Sequence, residues 1–595
     1  MVASYFLSST VVPLLSVWLL GGHEKSATQT KAESAFARFQ GAYASFLQRL
    51  APWRKALIVG YLVATIAIIV FVGKQLGVEI FPQVDAGQLQ VRFRAPAGTN
   101  IDGTEAVFLK ALNLIKKEVG PDNVAISMGL IGIHGSNFPI NFVHLWNGGP
   151  EEGVLQVQIK ARANIRTEAL KEQLRREFAE QMPDASFSFE PADIVSRVMS
   201  LGADTPIEVA VSAQDIASSR AFAEKVKTRL EGIAVLRDVQ FAQSLDYPTV
   251  DVKVDRERAG IIGPDMKEVS KALVPATWSS RFLNLNYWAD PNSGVAYQVQ
   301  VQIPQQLMTS LEDVGNLPVL QHQPKDPAKK LKDVTLRNIA QISEGTAMGE
   351  YQRYDMQRLI TVRANIYGDD LAGAAQQVRR AIAELGTPPP GVSVAVRGQV
   401  VPMQEMLDGL RRGLVLAVVA IFLLLTANFQ SLKMSFIVVS TVPAVLAGVV
   451  MALWLTDTTL NIQSFMGAIM GVGVAVANAI LLVTFAERSR LSGADAVAAG
   501  MEGGRSRLRP ILMTSAAMIA GMMPMALSLG ESGGQAAPLG RAVVGGLAAA
   551  TIATLFVLPS IFAVVQNRSH RRAASLDPND VQSSHYQPAV EGAEL

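Results

Sequence analysis

A helical crossing of a bilayer needs about 20 mostly apolar residues. Six segments of this sequence come close to or meet that length: 55–73, 412–427, 434–455, 463–486, 511–530 and 541–565. A seventh, Met1–Leu20, is equally apolar. It lacks the basic start and small-residue cleavage site of a signal peptide, so it reads as the end of a further span. These runs commit the chain to a membrane α-helical bundle. Charged residues are only 17% of the sequence, against about 25% in an average soluble domain. The net charge of +2 offers no basic field, so no nucleic-acid partner is expected. The absence of cysteine excludes disulfides, thiol catalysis and thiolate metal sites.

Basic residues orient the bundle. Lys25, Lys31, Arg38, Arg49, Arg54 and Lys55 outnumber Glu24 and Glu33 ahead of the first full span. Arg488, Arg490, Arg505, Arg507 and Arg509 follow the fourth, and Arg568, Arg571 and Arg572 follow the last. These stretches are placed inside, with Lys433; the loops DTTLNIQ and ESGGQAAPLG are placed outside. Parity then leaves Met1 on the outer face, and the expectation is that the chain is the end of something longer.

A large soluble region lies outside, between the first full span and the next. Leu89, Val91 and Phe93 alternate with Gln88, Gln90, Arg92 and Arg94, the period of a half-buried strand. Leu155, Val157 and Ile159 repeat the pattern, as do Ile207, Val209 and Val211, then Val250, Val252 and Val254. Helical spacing lies between them, as in Leu170, Leu174 and Phe178. Residues 88–190 thus read β-α-β-β-α-β, a split βαβ unit. A second copy begins at 205, breaks after about 257 and resumes at 359–397. Residues 258–358, with the strand pattern YQVQVQI and the polar QHQPKDPAKKLKD, read as an insertion. The polar tail 567–595 is expected to be a disordered cytoplasmic segment.

With those stretches in view, the chain resembles the C-terminal half of a resistance-nodulation-division (RND) efflux permease, of the acriflavine-resistance or hydrophobe-amphiphile type. SYFLSSTVVPLLSVWLL is similar to the end of that family's first helix block, and GVEIFPQVDAGQLQVRFRAPAGT to the entry into its second periplasmic half. TANFQSLKMSFIVVSTVPAVLAG, GVAVANAILLVTFAER and RSRLRPILMTSAAMIAGMMPMAL resemble its eighth to eleventh helices. The resemblance implies about six full transmembrane helices and one partial one, with an α+β periplasmic region. Residues 1–20 would end the first block, 21–54 form a cytoplasmic linker and 55–73 the next helix. Two ferredoxin-like porter subdomains would follow, 75–204 and then 205–257 with 359–400, the second carrying a docking insertion at 258–358. A five-helix block would span 412–565. It also implies a secondary active transporter at the bacterial inner membrane, not an enzyme. Partners would be the missing N-terminal half, two further copies in a homotrimer, a periplasmic adaptor, an outer-membrane channel and the lipid bilayer. No cofactor is implied.

Proton coupling needs a group that titrates inside the membrane, and no Asp, Glu, Lys, Arg or His falls inside the expected spans away from their ends. In the family the coupling carboxylates sit on the fourth helix. Their charged counterpart, where present, precedes an Asn on the tenth helix; here Ala477 stands before Asn478. The resemblance makes Asn478, Thr514 and Arg507 the candidates for a proton relay. A packing bond between helices serves equally well for Asn478, and an inside-positive anchor is the stronger reading for Arg507. The stretch MGLIGIHGSNFPINF at 128–142 lies where the family has a glycine-rich loop lining its drug pocket. This makes Met128, Leu130, Ile131, Ile133, Phe138 and Phe142 substrate-contact candidates, with a plain core edge as the other reading.

His134 and His144 lack neighbours at ligand spacing, so no zinc site is expected. Of three places where metal-exporting relatives carry methionines, Met199 falls near one, while Arg92 and Leu155 stand near the others, which speaks against copper or silver. No nucleophile elbow or phosphate loop occurs. Multidrug-type proton antiport is therefore the expected function. The alternatives are a transport-inactive or assembly-only remnant and a heavy-metal exporter; the 258–358 insertion speaks against a protein- or lipid-exporting relative.

Overall fold

The structure is a computed structural model. It describes residues 27–82, 87–133, 147–160, 165–192, 203–320, 334–529 and 533–567, with a few isolated positions besides. Among these, six helical stretches are long and apolar enough to cross a membrane: Phe36–Gln75, Val400–Phe429, Leu432–Leu455, Ile462–Leu491, Ala496–Ala526 and Gly534–Gln566.

The first stretch joins two helices, α1 (Ala27–Leu50) and α2 (Arg54–Ala67), through a short turn at Pro52. What reads as a linker at 21–54 is therefore largely helical. Tyr43 and Leu47, one turn apart, are its buried contacts with the bundle. Tyr43 donates its hydroxyl to the Leu555 carbonyl at 2.7 Å. That carbonyl lies in a π turn, Ala553–Val557, whose widened register supplies an acceptor to a neighbouring helix.

Outside the membrane, β1 (Gln88–Arg94), α3 (Ile101–Val119), β2 (Val124–Ile131), β3 (Glu152–Ile159), α4 (Thr167–Gln181) and β4 (Ser186–Glu190) follow in sequence. Their strands pair antiparallel in the order β2-β3-β1-β4. Both helices cover one face, and Leu89, Val91, Ile115, Leu155, Leu174 and Phe178 fill the space between. The order is what a split βαβ unit dictates. Next come β5 (Ile207–Ser212), α5 (Ile216–Glu231) and β6 (Leu236–Phe241). After a long excursion, β14 (Gln357–Ile366), α8 (Leu371–Glu384) and β15 (Ser393–Gly398) complete the same arrangement, β6-β14-β5-β15.

The excursion leaves and returns on a two-stranded ribbon of β7 (Tyr247–Val254) and β12 (Ala340–Ala347). At its root the Gly349 amide donates to the Ser244 carbonyl at 2.9 Å. Val250, Val252 and Val254 thus lie on a strand, as their alternation predicts, but that strand belongs to the ribbon and not to the second sheet. Alternation specifies a strand without naming its neighbour. Beyond the ribbon, α6 (Arg256–Ile262) and α7 (Met266–Thr277) pack with β10 (Pro318–Leu320) and β11 (Val334–Thr335) around Val269, Leu317, Leu336 and Ile339. Only the first three residues of the YQVQVQI pattern enter a strand, in an exposed hairpin of β8 (Asn286–Ala289) with β9 (Ala296–Val299). The hairpin β13 (Gln352–Tyr354) then leads into β14.

After the second unit come the helices α9 (Val400–Phe429), α10 (Leu432–Val439), α11 (Val442–Leu455), α12 (Ile462–Leu491), α13 (Ala496–Ala526), α14 (Gly533–Ile552) and α15 (Leu558–Gln566). Helix α9 starts well before the apolar run at 412, because Val400, Met403 and Leu407 are buried in the core of the second unit. The stretch 496–510, read as a loop, is helical too: Ala499, Gly500, Gly503 and Gly504 are buried. Helices of this length exceed a hydrocarbon core of about 30 Å at 1.5 Å per residue, so their ends project from it. Helices α11 and α14 approach each other closely. A Cβ added at Gly448 would lie 2.3 Å from the Gly545 carbonyl oxygen, and one at Gly545 would lie 2.2 Å from the Ala452 Cβ. The tail from 568 onward lies outside the described residues.

Candidate functional site

Asn478 sits midway along α12 and is buried, 6% exposed. Its carbonyl oxygen accepts from the Thr514 hydroxyl at 3.1 Å, and its amide nitrogen approaches the Ser515 hydroxyl at 3.4 Å. Ser515 in turn accepts from Thr551 of α14 at 2.7 Å. Three helices are thereby stitched by uncharged groups. Of the three relay candidates, the structure brings Asn478 and Thr514 together. Arg507, two turns nearer the cytoplasmic end of α13, stacks its guanidinium 3.5 Å from the centre of the Phe485 ring. Its Nε has no hydrogen-bond partner among the described residues. Ala477 is exposed on the opposite side of α12 from the buried contacts.

Ser515 and Thr551 were not among the sequence candidates. Uncharged hydroxyls give no signal in a search for charges, and only the helix phase aligns them with Asn478. Arg541 opens the expected span 541–565, yet α14 begins at Gly533 and carries it within a candidate span. Its guanidinium donates to the Thr458 hydroxyl at 2.6 Å and to the Ala526 carbonyl at 3.1 Å, so it caps the outer end of α13. Asn478→Leu removes two weak bonds but leaves Thr514 bonded to the Ile511 carbonyl and Ser515 to Thr551. Interhelical bonds of this kind average about 0.6 kcal/mol and reach about 1.7. The variant is therefore expected to insert normally and to lose about 1 kcal/mol, read as a small fall in melting temperature in detergent. A loss several times larger would mean that the amide holds the block together.

In the first soluble unit, Met128, Leu130 and Ile131 lie on β2, not in a loop. Met128 is exposed, Leu130 and Ile131 half-buried, and Ile133 follows just after the strand. At Gly129 the Phe108 ring closes over the strand: a Cβ there would meet the ring at 2.0 Å unless the ring shifted. Phe138 and Phe142, with His134 and His144, fall in 134–146, outside the described residues, as does Met199. Leu155 points into the core and is fully buried.

Arg92 is the larger surprise. Its strand alternates as predicted, but the polar face is buried as well: Gln90 is 2% exposed and Arg92 7%. The second unit covers it. Arg92 Nε pairs with Glu190 at 2.5 Å, and its terminal nitrogen lies 3.9 Å from Asp204. Asp204 pairs with Arg363 at 2.6 Å, and Arg363 lies 3.4 Å from Glu208. Nearby, Arg94 holds Glu152 at 2.6 Å and donates to the Phe241 and Ala242 carbonyls. Asn365 bridges Ser188 and Asp238, and Arg175 closes on Asp238. Burial pushes the Glu208 carboxyl above its usual range, although Arg363 pulls it back. Burial alone would weaken the charge on Arg92, but Glu190 and then Asp204 raise its pKa above the ordinary value. Among the described residues, no three His, Cys, Asp or Glu side chains are grouped as a metal site.

The profile of the AcrB/AcrD/AcrF family matches residues 1–566. The cation efflux system protein CzcA of Alcaligenes sp. (strain CT14) is 24% identical over 526 residues, covering 88% of this chain and 48% of that protein. The nickel-cobalt-cadmium resistance protein NccA of Alcaligenes xylosoxydans xylosoxydans is 25% identical over 570 residues, 96% of this chain and 51% of its own length. The multidrug resistance protein MdtC of Yersinia pestis bv. Antiqua (strain Angola) is 24% identical over 564 residues, 94% of this chain and 52% of its own. A crystal structure of a heavy metal efflux pump superposes with a TM-score of 0.76 at 24% identity, covering 90% of this chain and 52% of that one. The chain spans about half the length of these relatives. With a family profile matching nearly its whole length, the chain belongs to the AcrB/AcrD/AcrF family, whose members are multi-pass inner-membrane proteins with a large periplasmic region.

Proposed function

We propose that this chain is the C-terminal half of a proton-driven export permease whose cargo is amphiphilic or apolar organic compounds. The observation that carries the cargo reading is Arg92. Its guanidinium already occupies the centre of the carboxylate cluster between the two periplasmic units, within reach of Glu190 and Asp204. A fixed internal cation repels a metal ion from those acids. Beside them, Ile126, Met128 and Leu130 form an apolar edge of β2, with Ile126 and Met128 exposed, a surface suited to apolar cargo.

Proton coupling in this proposal rests on carboxylates of the matching N-terminal half. That half would seat where Ala477 and Thr514 are exposed, with Asn478 just behind them. The assembly would be a homotrimer with an adaptor and an outer-membrane channel. The exposed Tyr287, Trp288 and Tyr297 of the β8–β9 hairpin suit contact with a protein partner. A second reading, export of divalent transition-metal cations, draws on the names of CzcA and NccA and on the acids gathered between the units.

The test is co-reconstitution with a matching N-terminal half in liposomes under an imposed proton gradient. Gradient-dependent movement of a fluorescent amphiphile, only with both halves present, is expected. Zinc movement without amphiphile movement would replace the cargo reading by the second. Uncoupler-sensitive movement by this chain alone would refute the division of labour, and no movement with both halves would mark the chain as a remnant.

A further inference from the structure

Glu79 is a buried carboxyl outside the spans, 6% exposed, four residues past the end of the first one. It sits in a segment, 77–80, that is fastened on two sides. On one side the segment runs beside the head of α12. The Glu79 amide donates to the Leu460 carbonyl at 3.2 Å, Leu460 to Gly77 at 2.8 Å, and Ile462 to Ile80 at 3.2 Å. On the other side it meets the start of α8. Val78 donates to the Asp370 side chain at 3.0 Å, and Ala372 to the Val78 carbonyl at 3.2 Å. The Glu79 carboxyl accepts from the Thr459 hydroxyl, and Thr459 is reached by Asn461, the N-cap of α12, at 3.4 Å. One short segment therefore joins the first span, the second periplasmic unit and the helix that bears Asn478.

We propose that Glu79 is a proton-binding latch at this junction: protonated, it holds 77–80 against the head of α12, and ionised, it lets the junction open to water. A buried carboxylate without a cationic partner is costly, and its neutral form is not. The charge that acts on it is that of an acid, Asp369, while Arg541, which reaches the adjoining turn, is held by the Thr458 hydroxyl. Asp369 and Asp370 precede α8, while Asp457 lies in the turn before α12 and acts on Asp369. Glu168 and Lys171 of α4 stand beside Asp369 on its far side. Burial lifts Glu79 to about 8; Thr459 works against the lift, the Asp369 charge adds to it and Asn461 opposes it. A proton arriving from the periplasm thus decides how firmly α12 is seated under the soluble region. The link to transport rests on the proton-driven reading above; the latch itself does not.

The sign follows from linkage. An opened junction exposes Glu79 to water, where its pKa returns to about 4.5. Between that value and about 8 the closed form holds a proton that the open form lacks, so closure weakens tenfold for each pH unit gained, on the order of a thousandfold in all. Above the upper value the dependence ends.

Hydrogen exchange of the full chain in lipid nanodiscs reads this directly, with no cargo or gradient present, so a failed latch and a failed transport reading are told apart. Protection of the Glu79, Leu460 and Ile462 amides, corrected for intrinsic exchange, is expected to fall tenfold per unit from about pH 5 and to level near pH 8. Glu79→Gln should remain protected across the range. Asp369→Asn, which removes a like charge, should move the levelling point to lower pH. Protection in the native chain that ignores pH, a slope retained in Glu79→Gln, or a levelling point unmoved by Asp369→Asn would each overturn the latch.

Discussion

Gly448→Leu should leave almost no folded protein in the membrane. A Cβ there would lie 2.3 Å from the Gly545 carbonyl oxygen and 2.5 Å from the Ala549 Cβ, so the obstacle is largely backbone and no rotamer relieves it. Helices α11 and α14 would have to part along the line where Val445, Val449, Leu453, Ala542 and Ala550 are buried together. Overpacking a tight core costs about 1–3 kcal/mol where neighbours can shift, and more where they cannot. Gly545→Leu meets the same obstacle from the other side and should behave alike. Gly413→Leu, whose added Cβ has nothing within 4 Å, is the control and should express normally. Membrane yield and gel-filtration profile in detergent check all three. A well-behaved Gly448→Leu would mean that the helices do not approach as described.

Arg92→Met is the second large effect. It strands Glu190, 3% exposed, without its counter-charge, and unpairing a buried ion pair costs about 3–5 kcal/mol. The loss should be confined to the periplasmic region, so proteolysis there should accelerate while the helix block stays resistant. Adding Glu190→Gln removes the orphaned charge and should restore much of the loss, giving a strong coupling in the double-mutant cycle. Additive effects would mean that the two side chains do not depend on each other.

The two cases also mark what a sequence of this kind discloses. Runs such as 434–455 are legible because apolar length alone decides them. The helix ends are less so: Val400, Met403 and Leu407 continue α9 for packing reasons supplied by a sheet formed by distant residues. The alternation of β1 correctly gave a strand with a polar face, but nothing local said that a second unit would cover that face and turn Gln90, Arg92 and Glu190 into buried partners. Likewise the Val250–Val254 alternation gave a strand whose neighbour, β12, lies nearly a hundred residues on in the chain. At the candidate relay, Asn478 stands out as an amide in an apolar run and Thr514 came with the resemblance. Ser515 and Thr551 required knowing which faces of three helices meet. Glu79 was hidden for a simpler reason: a carboxylate just past a span reads as solvated until the segment is seen folded under α8 and α12.

The ribbon that carries the inserted module has its two ends pinned together at Ser244 and Gly349. A segment anchored in this way closes its own loop, and the unit beneath registers only the root of the ribbon. Doubling the length beyond such a root adds only about 0.6 kcal/mol of closure entropy. The outward reach of the molecule can thus drift, lengthen or be exchanged between lineages as a cartridge, while the sheet order that frames the root, and everything it transmits to the membrane, stays untouched.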